Sequence, residues 1–207
     1  MKITSIKAWQ IFDSRGLPTL EAEVTLASGA RGRGLVPSGV SKGQFEAMEL
    51  RDADPKRFRG KSVFKAIANI ENQIFPALCC ANAFDQEALD RILIEFDGTP
   101  NKSRLGANAI LAVSMGVANA AATTRNEPLH FYLSEGRGTL LPIPEIQIIG
   151  GGAHANWRTD VQDFLLIATG ARNLQEVMEV THSVYRAAGD ILRRRKKGNK
   201  YGTCHRY

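Results

Sequence analysis

Residues 3–36 constrain the fold of this chain more than any other stretch. Between Ile3 and Phe12, Ile6 and Ala8 alternate with polar positions, the period of a strand. Leu20, Ala22, Val24 and Leu26 alternate with Glu21, Glu23 and Thr25, which predicts a second strand with one buried face. The cluster Asp13-Ser14-Arg15-Gly16-Leu17-Pro18 is a turn, Ser28-Gly29 marks a hairpin, and Arg31 to Val36 returns as a third strand. Turns this short join antiparallel neighbours, so the pattern predicts a three-stranded meander.

From the end of the third strand hangs Pro37-Ser38-Gly39-Val40-Ser41-Lys42-Gly43, followed by the acidic segment Glu46 to Asp52. Two glycines, two serines and a lysine make a polar flap. It can offer backbone N–H groups, hydroxyls and a cation to a small anion. Helices follow. Ser62 to Gln73 places Val63, Ile67 and Ile70 on one face, with Ile74 next in the series. Asp85 is placed to cap a helix running through Phe96. Arg104 to Thr124 predicts the longest helix. Its Ala109, Ala112, Gly116 and Ala120 form a small-residue face that lets another backbone come close.

After a linker at Gly136 to Leu141 the pattern changes. Apolar runs at Ile143–Ile149 and Val161–Ala168 flank Gly150-Gly151-Gly152. Asn173 opens a helix with Glu176 as its capping-box partner. Leu174, Val177, Met178, Thr181, Val184, Tyr185, Ala188 and Leu192 are expected to form its buried face. Two strands and one amphipathic helix are only a fraction of a barrel or doubly wound sheet. The expectation is a larger protein cut short: an N-terminal domain over residues 1–136, an incomplete barrel start over 137–195 and a basic tail over 196–207.

Charge and cysteine usage remove several function classes. The net charge is +6, but residues 193–207 hold seven of the 27 Lys and Arg and none of the 21 Asp and Glu. The remainder therefore carries 20 basic and 21 acidic groups, a net −1, so the basic excess belongs to the tail and its location argues against specific nucleic-acid binding. No stretch of the sequence is a continuous apolar run of about 18 residues, as a membrane span needs. Three cysteines, two of them adjacent (Cys79 and Cys80), give no disulfide framework and predict a reducing cytoplasm.

Four motifs then line up in order: Phe12 to Thr19, the flap, Asp97-Gly98-Thr99-Pro100-Asn101-Lys102-Ser103-Arg104-Leu105-Gly106-Ala107-Asn108-Ala109-Ile110-Leu111, and Gly151-Gly152-Ala153-His154-Ala155. In this order the sequence resembles enolase, the phosphopyruvate hydratase of glycolysis, over about the first half of that family's length. The resemblance implies an α+β N-terminal domain, a three-stranded antiparallel meander followed by helices. The first strands and helix of an incomplete β/α barrel then follow. It implies a Mg2+-dependent lyase that dehydrates 2-phosphoglycerate to phosphoenolpyruvate, with a lysine base and a charged enediolate-like intermediate.

By position, Ser41 matches the flap serine that ligates a second Mg2+, for which its oxygens are suitably hard ligands. Gly39 and Val40 fall in the substrate-contacting part of the flap. His154 matches a histidine on a second loop near the phosphoryl end, and Gln162 a substrate-contacting glutamine. Asp163 falls where the family has a glutamate that assists loss of the hydroxyl. Departures are Val40 for alanine, Gly150 for asparagine, Trp157 for asparagine, and Asp163, whose carboxylate is shorter by about one C–C bond. Arg15 and Glu21 fall at family subunit or interdomain contacts, or in ordinary surface ion pairs. His130, His182 and His205 match no site.

The family's next segment, Asp-Glu-Gly-Gly, is replaced by Tyr201-Gly202-Thr203-Cys204-His205, and the metal carboxylates and lysine base are expected beyond it. A shifted reading frame or a truncated gene is the expected origin. Three readings stay open. The chain is an enolase-family lyase that cannot turn over alone, including a divergent form acting on another phosphorylated hydroxy acid. It is a non-catalytic module, a homodimer or a partner of full-length enolase. Or its tail binds polyanions, the weakest of the three.

Overall fold

The computed structural model describes residues 1–39 and 43–194, and for His154 the backbone alone. The alternating stretch forms β1 (Ile3–Phe12), β2 (Pro18–Leu26) and β3 (Arg31–Leu35), an antiparallel sheet in the order β1-β2-β3. Ile3, Ile6, Ala8, Leu20, Ala22, Val24 and Leu26 are buried, so the period of two has become one dry face.

That face packs on α4 (Ala107–Arg125) at backbone distance. A Cβ on Gly34 would lie 2.0 Å from the Ala112 carbonyl oxygen, and one on Gly32 2.0 Å from the Ala120 nitrogen. Only glycine in β3 and small residues along α4 permit this approach. Helix α4 is also the one described helix long and apolar enough to cross a membrane. Its Ala109, Ala112, Val113, Val117 and Ala120 are instead buried in the core beneath the sheet.

The predicted helix at 62–73 is interrupted. Helix α1 (Phe64–Asn69) passes through a π-helical turn (Ile70–Ile74) into α2 (Phe75–Leu78). The wider turn still buries both Ile70 and Ile74. Asp85 accepts from the Ala88 N–H at 3.0 Å and caps α3 (Gln86–Asp97), which ends at Gly98 with φ 69°. A short helix missed in the sequence, α5 (Leu129–Leu133), buries Tyr132 against Ala121 and Ala122.

The chain divides into two compact units between Thr139 and Leu140. The second contains an antiparallel hairpin of β4 (Glu145–Gly150) and β5 (Asp163–Ile167), then α6 (Leu174–Arg194). No closed barrel is present among the described residues. The expected buried face of α6 forms only in part. Val177 and Thr181 are buried, but Leu174, Met178 and Val184 are exposed, because a two-stranded hairpin is too narrow to cover a helix of 21 residues. The capping box forms only in part. Asn173 accepts from the Glu176 N–H at 3.0 Å, but the Glu176 carboxylate turns to the Arg172 N–H at 2.9 Å.

Candidate active-site elements

Three motifs far apart in sequence converge on the base of the flap. The hairpin extends past β3, because the Val36 N–H donates to the Leu20 carbonyl at 3.2 Å and the Thr19 hydroxyl to the Val36 carbonyl. This delivers Ser38 to two arginines. Arg15 Nη2 donates to the Ser38 carbonyl at 2.7 Å, and Arg51 Nη2 to the Ser38 hydroxyl at 2.9 Å. Arg15 is itself held by Asp13 at 2.8 Å. Burial alone would raise the Asp13 carboxyl, but the Leu17 N–H, the Arg15 guanidinium and the Arg15 N–H outweigh it and hold the group below the ordinary aspartate range.

Each carboxylate of the acidic segment has a structural task. Glu49 accepts from the Gly39 N–H at 2.9 Å and pairs with Arg51 at 2.7 Å. Glu46 accepts from the Gly43 N–H at 2.8 Å, on the other side of the flap. Asp52 caps α1 by accepting from the Lys65 N–H at 2.8 Å and the Phe64 N–H at 3.1 Å. Arg51 also donates to the Lys61 carbonyl at 2.7 Å and to the Pro18 carbonyl.

The segment Asp97 to Asn108 holds this arm in place. The Met48 N–H donates to the Asn101 carbonyl at 2.7 Å, and the Ala107 N–H to the Met48 carbonyl at 2.8 Å. The buried Asn108 side chain then reads both polar groups of Leu50, accepting from its N–H at 3.0 Å and donating to its carbonyl at 3.1 Å. The longest of the four motifs is thus a buttress for residues 48–51. Gly39 lies within the described flap base. Val40 and Ser41, the other flap residues expected at the site, lie outside the described residues.

In the second unit, residues 151–162 link β4 to β5. The Gly151 N–H donates to the Gln162 carbonyl at 2.6 Å, and a Cβ on Gly151 would fall 1.9 Å from the Val161 carbonyl oxygen. The loop therefore closes on itself only with glycine at 151. His154 is carried on a short 3-10 turn, Gly152–Ala155. Gln162 and Asp163 are neighbours in space as well as in sequence, with Gln162 Nε2 donating to Asp163 Oδ2 at 3.1 Å.

A third residue joins them that the sequence reading passed over. Gln147 Nε2 donates to Asp163 Oδ1, so two amides orient one carboxylate. Gln147 lies across from Leu165, beside an irregularity of the ladder between Gln147 and Ile149. The signal was a lone amide inside the apolar run Ile143–Ile149. A Cβ on Gly150 would meet Gln147 Nε2 at 3.5 Å, an ordinary contact.

Arg15 and Glu21 both lie in ion pairs of the first unit. The pair of Arg15 is with Asp13, and Glu21, buried at the sheet, takes both ends of the Arg33 guanidinium. Metal ligation is less complete. Among the described residues no three His, Cys, Asp or Glu side chains stand close enough to hold an ion.

The model of the enolase N-terminal domain matches residues 3–133, and that of the enolase C-terminal TIM barrel domain matches residues 138–204. The chain belongs to the enolase family. It is similar to Enolase 1 of Desulfitobacterium hafniense (strain Y51), 52% identical over 192 residues, which is 93% of this chain and 44% of that enolase. The chain therefore spans less than half the length of this curated relative. The match to the enolase N-terminal domain begins at the first residue of β1 and ends with α5. The whole flap clamp lies inside it, while the glycine loop, Gln147, Gln162 and Asp163 fall within the match to the enolase barrel domain.

Proposed function

We propose that this chain carries the lid-bearing part of an enolase site for the Mg2+-dependent dehydration of 2-phosphoglycerate to phosphoenolpyruvate, and that it does not turn over alone. The clamp on the flap base carries this reading. Arg15, Arg51 and Glu49 fix Ser38 and Gly39 to the sheet and leave Ser41 a short reach away along the chain. Ser41 would supply one hard oxygen to Mg2+, whose remaining ligands come from other parts of the complete site. Val40 and Gly39 would present backbone to the substrate, and His154 would face its phosphoryl end. Gln162 would bind the substrate, and Asp163, oriented by Gln147 and Gln162, would assist departure of the hydroxide.

Complementation tests this. Mixed with a fragment supplying the rest of Enolase 1 from Desulfitobacterium, the chain is expected to produce phosphoenolpyruvate from 2-phosphoglycerate with Mg2+. Ser41→Ala or Asp163→Ala lowers that rate at least about tenfold. A folded mixture without turnover sinks the proposal, and turnover by the chain alone overturns its dependence on a complement.

A second reading is favoured by the second unit. Phe164, Leu165 and Ile167 of β5 and Leu174, Met178 and Ile191 of α6 are all exposed large hydrophobics. Such a surface suits a non-catalytic module that pairs with itself or with a full-length enolase. Size-exclusion chromatography with and without full-length enolase separates the two readings. Free, exposed Cys79 and Cys80 support a reducing cytoplasmic location for either.

A further inference from the structure

Cys79 and Cys80 take no part in the flap clamp or the glycine loop. Both are exposed thiols, with their sulfurs 3.8 Å apart. They occupy the middle of a tight turn in which the Ala81 N–H donates to the Leu78 carbonyl at 2.9 Å. Cys79 has φ −56° and ψ 127°, and Cys80 has φ 70°. These are type II turn angles, and the second central position of that turn ordinarily takes glycine or asparagine. Cys80 is one of nine described non-glycine residues at positive φ, and what sets this turn apart is the pair of exposed thiols that it holds. The turn is also pinned to the start of β1. Cys80 N–H donates to the Ile3 carbonyl at 3.1 Å, Ile3 N–H to the Ala81 carbonyl at 3.2 Å, and Ala83 N–H to the Met1 carbonyl at 2.7 Å.

We propose that Cys79 and Cys80 form a chelating dithiol site for a soft, thiophilic centre. Two sulfurs each about 2.3 Å from a shared centre stand about 3.3 to 3.8 Å apart for bond angles of about 90 to 110°, so the pair, at 3.8 Å, closes by only a few tenths of an ångström on a pyramidal trivalent centre. A disulfide suits the pair less well. Adjacent Cα atoms are about 3.8 Å apart across a trans peptide, short of the ~4.4 Å at which ordinary bridges begin. Soft sulfur selects soft centres over Mg2+ or Ca2+. Among the described residues no third His, Cys, Asp or Glu joins the pair, so the centre brings its own remaining ligand. A monosubstituted trivalent arsenical meets that condition. It condenses with both thiols, forming two As–S bonds. Its As–O double bond breaks, and the two thiol protons leave with that oxygen as water. No oxidation state changes.

The test uses phenylarsine oxide on the full chain, read by intact mass and by thiol titration in the native fold. One phenylarsenic group is expected per chain, with two titratable thiols lost. It should survive a large excess of a monothiol and be released by 2,3-dimercaptopropanol. Cys79→Ser and Cys80→Ser each abolish monothiol-resistant binding, at an unchanged melting temperature, and Cys204→Ser retains it. Stripping of the native adduct by monothiol overturns the proposal, as does its retention in either single variant. Loss of fewer than two thiols in the native chain does the same without relying on a variant.

Discussion

Asp97 shows how much backbone one buried carboxylate can organise. Its Oδ1 accepts from the Thr99 N–H at 3.0 Å and from the Thr99 hydroxyl, and its Oδ2 accepts from the Leu105 N–H at 2.7 Å. Thr99 Oγ1 in turn accepts from the Ser103 N–H at 2.8 Å. Asp97→Ala orphans these donors inside the buttress, so a loss of about 2–4 kcal/mol is expected, read as a lower urea midpoint with unchanged slope. Burial raises the Asp97 carboxyl, but the Thr99 hydroxyl, the Leu105 and Thr99 N–H groups and the Arg104 charge outweigh it and lower it from the ordinary 3.8. The native carboxyl thus ionises at lower pH than the unfolded one. Its stabilisation is present in full above the unfolded value and is lost as pH falls from about 4 through the folded value. Urea midpoints measured from pH 7 to pH 3 should drop over that window, and drop less in Asp97→Ala. Trp157 makes the opposite point. It has φ 57° and is 70% exposed, so it meets the left-handed penalty without burial to offset it. Trp157→Asn is expected to stabilise the second unit by about 0.5–1 kcal/mol, checked as a higher melting temperature, because asparagine tolerates that conformation.

Between elements, the contact of β3 with α4 decides whether the sheet has a core. Gly34→Ala would drive a Cβ to 2.0 Å from the Ala112 carbonyl and 2.8 Å from the Gly116 nitrogen. Neither is a flexible side-chain end, so strand and helix must separate, at a cost of about 3 kcal/mol or more. Gly43→Ala meets nothing within 4 Å and serves as the near-neutral control in the same denaturation series. The strands were legible because alternation is a local signal that survives folding. The small-residue stripe of α4 was legible for the same reason. The clamp was not, because its partners are distant: Arg15 reaches Ser38 across 23 positions, and Asn108 reaches Leu50 across 58. Nothing in Glu46 to Asp52 read alone distinguishes a solvated acidic run from three separately engaged carboxylates. The π turn at Ile70–Ile74 was hidden because it preserves apolar spacing while changing backbone period. At the candidate site, His154, Gln162 and Asp163 are candidates through the motif order alone, whereas Gln147 becomes visible only once β4 and β5 are paired.

At the scale of the whole molecule the two units are unequally finished. The first closes a continuous core that draws on β1, β2, the helices from α1 to α4 and the segments between them. The second leaves Phe164, Leu165, Ile167, Leu174 and Met178 exposed on a hairpin and a single helix. A domain needs two packed layers around a core, and the described residues of the second unit provide little more than one. The connecting stretch is open to a protease, with Leu140 91% exposed and Leu141 82% exposed, and no helix or strand between Leu133 and Glu145. Limited proteolysis is therefore expected to cut near residues 138–144 first and leave a resistant fragment close to residues 1–139. That fragment, expressed by itself, should unfold cooperatively at the urea midpoint of the main transition of the full chain. It should also bind a hydrophobic dye less than the full chain, since the exposed apolar surface of β5 and α6 is gone. If residues 1–139 alone prove unfolded, the first unit depends on the second, and the division of the chain into a finished and an unfinished part is wrong. If the fragment folds but binds dye as strongly as the full chain, the sticky surface lies in the first unit, and the exposed faces of β5 and α6 are not what draws a partner.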